Sequence, residues 1–231
     1  MATLGITVKR LVDGECLSRE EFLGRWDLLP ELKTAELVRG KVHMASPLSR
    51  DHGRFESMVT GWLVAYSART PGCEVLSNAT WLMLNDVPQP DVVLRITREY
   101  GGQSGMRGNL AAGAPELIVE IALTGADYDL GQKKDLYEEA GVPEYFVVVA
   151  GSRVVWHASD SGRFVEIAPE ADGIHRSRVF PGLWLDPAAL LAGDLPLLLA
   201  TLEKGLASPA HADFTKSLAT ARRCYRPSYR R

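Results

Sequence analysis

Gln89-Pro90-Asp91-Val92-Val93-Leu94-Arg95-Ile96 and Pro115-Glu116-Leu117-Ile118-Val119-Glu120-Ile121-Ala122 are two apolar runs that each carry one carboxylate of interest. Apolar residues at both parities suit central strands covered on both faces. Asp91 opens the first run and Glu120 lies near the end of the second. A charge inside a buried run is costly unless it is paired or metal-bound. Glu120 therefore either ends its strand and meets solvent or an arginine, or belongs to a site. A polar segment then leads to Lys133, in a helical stretch Asp129–Ala140 closed by Gly141 with Pro143 beyond it. Two carboxylates on neighbouring strands, with a lysine beside them, can hold a hard divalent cation such as Mg²⁺, which prefers oxygen ligands. Such a site polarises a phosphate and lowers the pKa of a bound water.

The rest of the chain arranges itself around these runs. Glu144–Ala150 is a third apolar strand, so the passage from Glu120 through the helix to Tyr145 predicts a parallel strand pair. Ser49–Ser67 reads as a helix, with Phe55, Met58, Val59, Trp62, Leu63 and Tyr66 on one stripe and His52 a turn before them. Ser18 with Glu21 forms a capping box for a short helix through Leu23. Ala35–Met44, which contains Glu36, reads as strand with a bend or hairpin turn at Arg39-Gly40. Cys73–Ser77 and Thr80–Leu84 are short strand candidates, and Gly101–Asn109 reads as a mobile surface loop. That loop lacks a Gly-Lys-Ser/Thr ending and is no P-loop. Arg153–His157 and Arg163–Ile167 read as a hairpin, and Pro187–Ala200 as a Leu-rich helical stretch broken at Gly193 and Pro196. The fold class expected is α/β: a central mixed β-sheet flanked by helices. The division expected is an arm over 1–17, one domain over 18–205, and a polar to basic tail over 206–231, partly disordered.

A formal charge of −3 over 231 residues argues against a constitutive basic coat, though a local basic cleft survives it. Cys16, Cys73 and Cys224 are odd in number and form no CxxC, so neither a zinc knuckle nor a disulfide framework is indicated. Met1–Arg10 lacks the apolar core of a signal peptide, and no apolar run is long enough to span a bilayer. A cytoplasmic protein without membrane contact is expected.

The blocks around Asp91 and Glu120, then Asp129-Leu130-Gly131-Gln132-Lys133 with Tyr137, then Ala140-Gly141-Val142-Pro143-Glu144-Tyr145, resemble the Uma-two family of endonucleases. Glu36-Leu37-Val38-Arg39-Gly40 and Ser46-Pro47 with His52 resemble its first strand and helix. The likeness runs from about Ser18 to Pro187. It implies the restriction-endonuclease-like core of the PD-(D/E)xK nucleases, Mg²⁺ or Mn²⁺ as cofactor, and DNA as partner, with a homodimer the default. By position, Asp91 and Glu120 would be the metal carboxylates and Glu36 a further acid. Lys133 would assist the attacking water, from the helix rather than from the superfamily's usual place two residues after the glutamate, which here is Ala122. Arg39 and Lys41 stand where acids are common, which bears on the part assigned to Glu36, and Leu123-Thr124-Gly125 replaces a Leu-Ser-Pro-like turn.

Each assignment has a plainer counterpart. Asp91 after Pro90 can simply cap the start of its strand. Lys133 lies four residues after Asp129, the spacing of a helical ion pair. His52 on an apolar stripe is either a core histidine or looks into the cleft. Gln89 and Tyr137 either support the ligands or only pack. Arg222-Arg223-Cys224-Tyr225-Arg226 and Tyr229-Arg230-Arg231 suit phosphate contact and base stacking, or are a basic chain end. Two functions follow: a metal-dependent endonuclease, or a nuclease-fold module that binds nucleic acid or a protein without cutting.

Overall fold

Six strands of alternating side-chain direction form the central sheet, and both of its faces are apolar. The structure is a computed structural model that describes residues 9–44, 48–123, 126–149 and 151–226. Ser46-Pro47, Thr124-Gly125, Tyr229-Arg230-Arg231 and the first eight residues of the expected arm lie outside the described residues.

In chain order, α1 (Arg19–Trp26) is followed by a hairpin, β1 (Ala35–Val38) and β2 (Lys41–Met44). Val38 pairs with Lys41, and both turn residues have positive φ, Arg39 at 55° and Gly40 at 71°. That is the requirement of a tight two-residue hairpin. Next come α2 (Arg50–Ser67), β3 (Cys73–Ser77), β4 (Trp81–Leu82), β5 (Val92–Ile96), β6 (Gly105–Arg107), β7 (Leu110–Ala112) and β8 (Leu117–Ala122). A π-helical turn, Asp129–Lys133, runs into α3 (Lys134–Ala140), and β9 (Glu144–Val149), β10 (Arg153–Asp160) and β11 (Arg163–Glu166) complete the sheet. After the short pair β12 (His175–Arg176) and β13 (Trp184–Leu185) come α4 (Pro187–Ala192), α5 (Leu195–Leu206) and α6 (Pro209–Cys224).

The sheet order is β11-β10-β9-β8-β5-β3. β8 and β9 pair in parallel, as the strand–helix–strand passage predicts, and the other neighbours are antiparallel. Leu117, Val119 and Ile121 face a core built with α2 and α5. Ile118 and Ala122 face the opposite core, with Leu136 and Tyr137 of α3. Trp62 ties α2 to the sheet: it meets Phe146 and Trp156 edge-on, each at 6.4 Å between ring centroids, and its indole N–H donates to the Trp184 carbonyl at 3.0 Å. Full burial of a side chain of this kind contributes roughly 2–3 kcal/mol.

Four sequence readings are corrected. The segment Gly101–Asn109 is not wholly loop, since β6 within it pairs with β7. A Cβ on Gly105 would lie 2.5 Å from the Arg98 Nε and would make that flexible side chain shift. The strand expected over Thr80–Leu84 is confined to Trp81–Leu82, and Leu84 turns away at φ 50°. The Leu-rich stretch is two helices. Gly193 does end α4 in the left-handed region, but Pro196 lies in the first turn of α5 and starts that helix, where its missing N–H costs nothing. Beyond Ser208 the chain is helical over α6 rather than a disordered tail. Ser208 caps it, and the His211 ring sits between the Leu206 carbonyl (3.0 Å) and the Thr70 hydroxyl (2.9 Å). Only His211 and Leu218 of this helix are buried, too thin a stripe to show as periodicity.

Glu144 is fully buried and accepts from the Ser177 hydroxyl (2.7 Å) and the Arg178 N–H (2.6 Å). Burial nevertheless pushes its carboxyl up to about 7. The folded state then holds this proton more tightly than the unfolded chain, so stability is present at low pH and is lost as pH rises towards 7. Glu144→Gln lacks that loss. Denaturation at pH 5 and pH 8 is expected to shift the difference between the two proteins by about 2.5 kcal/mol in the variant's favour at the higher pH. Parallel stabilities at both pH values contradict this.

Candidate active site

The register that pairs Val92 with Val119 carries Asp91, one residue before β5, to the Glu120 end of β8. Alternation puts Asp91 on the face of Val93, the face that Ile118, Glu120 and Ala122 share. Asp91 Oδ2 accepts the Ile121 N–H at 2.7 Å, which fixes the carboxylate beside β8. It therefore does more than cap its own strand.

Lys133 arrives from the π-turn. Its N–H donates to the Tyr128 carbonyl, five residues back, at 3.1 Å. A π-turn widens the helix by one residue, a distortion often found at functional sites. Lys133 and Tyr137 then share a face, and both reach Glu120 Oε1: the ammonium at 2.9 Å and the phenol at 2.7 Å. The ammonium also lies 3.0 Å from Glu36 Oε1, on β1. No ion pair joins Lys133 to Asp129 among the described residues, so the plain helical pair is not formed. Ala122, two residues on from Glu120, carries only a methyl group on this face, and the helix supplies the amine that the strand lacks.

The supporting residues are placed as follows. Gln89 donates its backbone N–H to Glu36 Oε1 at 2.7 Å and its amide to the Asn78 carbonyl at 2.8 Å. His52 presents Nε2 to Asp91 Oδ2 at 3.4 Å and Nδ1 to Glu56 at 3.7 Å. It is buried behind Asp91, outside the lining of the pocket that Asp91 borders, and Asp91 raises its pKa. Arg222 lies over Tyr100, just past the far end of β5, so this part of the basic chain end is away from the site.

Two nearby residues escaped the sequence reading, Tyr128 and His43, and Asp129 entered it only as a helical ion-pair partner for Lys133. Tyr128 and Asp129 lie immediately ahead of Lys133, and His43 is the cross-strand partner of Glu36. No motif spacing singles out Tyr128 or His43; only the hairpin register and the π-turn bring them in.

The electrostatics are lopsided. Glu120 is 2% exposed and Lys133 is 4% exposed. Burial drives the Glu120 carboxyl well above its ordinary range, and the charges of Asp91, Asp129 and Glu36 add to this against the pull of Lys133. Burial also works against the Lys133 ammonium, but Glu120, Glu36 and Asp129 together outweigh it and keep it protonated. Burial lifts Asp129 to about 6. One ammonium thus faces four acids. Glu36 and Asp91 line a pocket of about 640 Å³, with Asp13, His43, Tyr128 and Lys133 among its other walls; Glu120 lies behind Lys133.

The donor set fits a hard divalent cation. Glu36 Oε2, Asp91 Oδ1 and Glu120 Oε2 take no hydrogen bond from the described residues, whereas the opposite oxygen of each does or meets Lys133. Among the described residues no three acidic, histidine or cysteine side chains gather into a group that could hold a metal ion. A divalent cation held by only one or two of these carboxylates would complete its shell with water and phosphate oxygens.

Residues 19–188 match the model of the Uma2 family, described as "Putative restriction endonuclease". Among solved structures, the chain is similar to "a putative nuclease belonging to DUF820" from Anabaena variabilis, at 12% identity. That match covers 87% of this chain and 99% of the other, with a TM-score of 0.57. It bears out the mixed sheet flanked by helices and a nuclease-like fold. None of the curated proteins compared matches the chain. Among the described residues no helix is long and apolar enough to cross a membrane.

Tyr137→Phe removes one donor from a buried carboxylate and leaves the ring in place. The expected cost is about 1.5–3 kcal/mol by urea denaturation, as for hydrogen bonds to charged groups. A loss below about 0.5 kcal/mol, the scatter of ordinary surface changes, would mean that the phenol does not hold Glu120.

Proposed function

Because the chain belongs to the Uma2 family of the description "Putative restriction endonuclease", we propose that it hydrolyses phosphodiester bonds in DNA with the help of Mg²⁺ or Mn²⁺. The observation that carries this reading is the Lys133 ammonium seated between Glu36 and Glu120, with Asp91 on the adjoining strand. Asp91 and Glu120 would hold the cation, with Glu36 as a further acid from the facing hairpin. A cation held there supplies Lewis acidity towards the phosphate and lowers the pKa of water.

The chain's own residues do the rest. Lys133 has three N–H donors. Two are directed at Glu120 and Glu36, and the third is free to orient a water or to steady charge on a phosphate oxygen. Tyr137 fixes the Glu120 carboxylate, and the Ile121 N–H fixes Asp91. His52 Nε2 lies 3.4 Å from the same Asp91 oxygen that accepts the Ile121 N–H. The pocket wall holds Asp13, Glu36 and Asp91 against Lys133 alone. Such a wall repels a phosphate until a cation is present, which makes the reading metal-dependent. A homodimer in the cytoplasm, each protomer cutting one strand, completes the proposal.

A second reading has its own observation. Glu120 is nearly fully buried, and its Oε1 is already taken by Lys133 and Tyr137. A module that binds nucleic acid or protein through the same pocket, without cutting it, needs no more than that.

Nicking of supercoiled plasmid separates the two. Activity is expected with Mg²⁺ or Mn²⁺ and none in EDTA. Asp91→Asn and Lys133→Met are each expected to lower the rate about a hundred-fold or more, with folding checked by circular dichroism. Equal rates in EDTA, or in both variants, exclude the enzyme.

A further inference from the structure

His43 and Tyr128 come from distant parts of the chain and meet at the wall of the same pocket. Their ring centroids are 4.6 Å apart with the planes tilted by 39°. His43 belongs to β2 and Tyr128 immediately precedes the π-turn that delivers Lys133. Their polar atoms, His43 Nε2 and Tyr128 Oη, are buried and have no hydrogen-bond partner among the described residues. A polar group in that condition costs stability, so the pair is not explained as core packing alone. The pocket that the two rings line, with Met44 and Leu48 as further apolar wall, lies within the range of about 300–1,000 Å³ typical of small-molecule sites. The same pocket is lined by Glu36, which pairs with His43 across the hairpin, by Asp91, and by Lys133, whose ammonium lies 5.6 Å from the Tyr128 ring centroid.

We propose that the His43–Tyr128 pair is a stacking platform for one unpaired nucleobase next to the phosphate that Asp91, Glu120 and Lys133 address; this rests on the nuclease reading. Aromatic side chains accept any base by its π-face, and each stacked base contributes substantially to binding single strands. A base inside a duplex has both faces covered, so only an unpaired or everted base can enter a concave pocket. Met44 and Leu48 cover the apolar part of the base. A small adjustment of either ring brings its orphaned atom to a base edge. The acids with Lys133 and the neighbouring aromatic pair then divide the work: the first handle the phosphate, the second chooses a locally unpaired strand.

Fluorescence of 2-aminopurine, which falls on stacking, tests this without any cutting. A single-stranded oligonucleotide with 2-aminopurine at one central position is titrated with the full chain in Ca²⁺, and binding is followed in parallel by anisotropy. The wild type is expected to bind and to quench the probe. His43→Ala and Tyr128→Leu are expected to bind roughly ten-fold more weakly with the quench lost, and His43→Phe to restore both. The fully paired duplex is expected to bind without quenching. Binding without a quench in the wild type, an unchanged quench in both variants, or no binding at all overturns the platform. Plasmid nicking in Mg²⁺ without a quench rejects the platform and leaves the nuclease reading intact. A quench without nicking rejects the nuclease reading and keeps the stacking surface.

Discussion

The ammonium of Lys133 holds the site together. It lies within 3.0 Å of both Glu120 on the central sheet and Glu36 on the hairpin, and so joins the two parts across the pocket. Both Glu120 and Lys133 are buried, and neither charge is tolerable alone. Removing one member of a buried pair commonly costs about 3–5 kcal/mol, because its partner is left uncompensated. Yet one cation cannot balance Glu36, Asp91, Glu120 and Asp129 together. Crowding and burial hold Glu120 and Asp129 above the ordinary carboxylate range. The proposed divalent cation would offset that crowding of acids.

Backbone choices make this arrangement available. The antiparallel register of β5 against β8 sets Asp91 beside Glu120, and the parallel β8–β9 pair forces a crossover that places a helix over the same face. The π-turn at its start turns Lys133 inward while Lys134 stays at the surface. Gly141, in the left-handed region at φ 81°, then ends α3 so that the chain can return as β9. The amine thus reaches Glu120 from a helix instead of from position 122.

Much of this could be read from sequence because it depends on local pattern. The apolar runs around Asp91 and Glu120 mark central strands, and a carboxylate inside one of them demands a partner. The stripe from Phe55 to Tyr66 marks α2, and Arg39-Gly40 marks the hairpin. The spacing of Lys133 and Tyr137 by four predicts a shared face, and both do reach Glu120. What depends on tertiary register was not legible. His43 enters the site only because the hairpin pairs it with Glu36, and Tyr128 only because the π-turn adds a residue. Helix α6 was missed because it buries two side chains and is anchored by the His211–Thr70 contact, which links residues 141 positions apart.

The central claim is that the acids around Lys133 are short of one divalent cation. Isothermal titration with Mn²⁺ measures this directly, in the absence of DNA and of any turnover. The account predicts saturable uptake by the wild type near pH 7 that is lost in Asp91→Asn, with the variant's fold intact. No heat of binding in the wild type, or equal uptake by the variant, contradicts it.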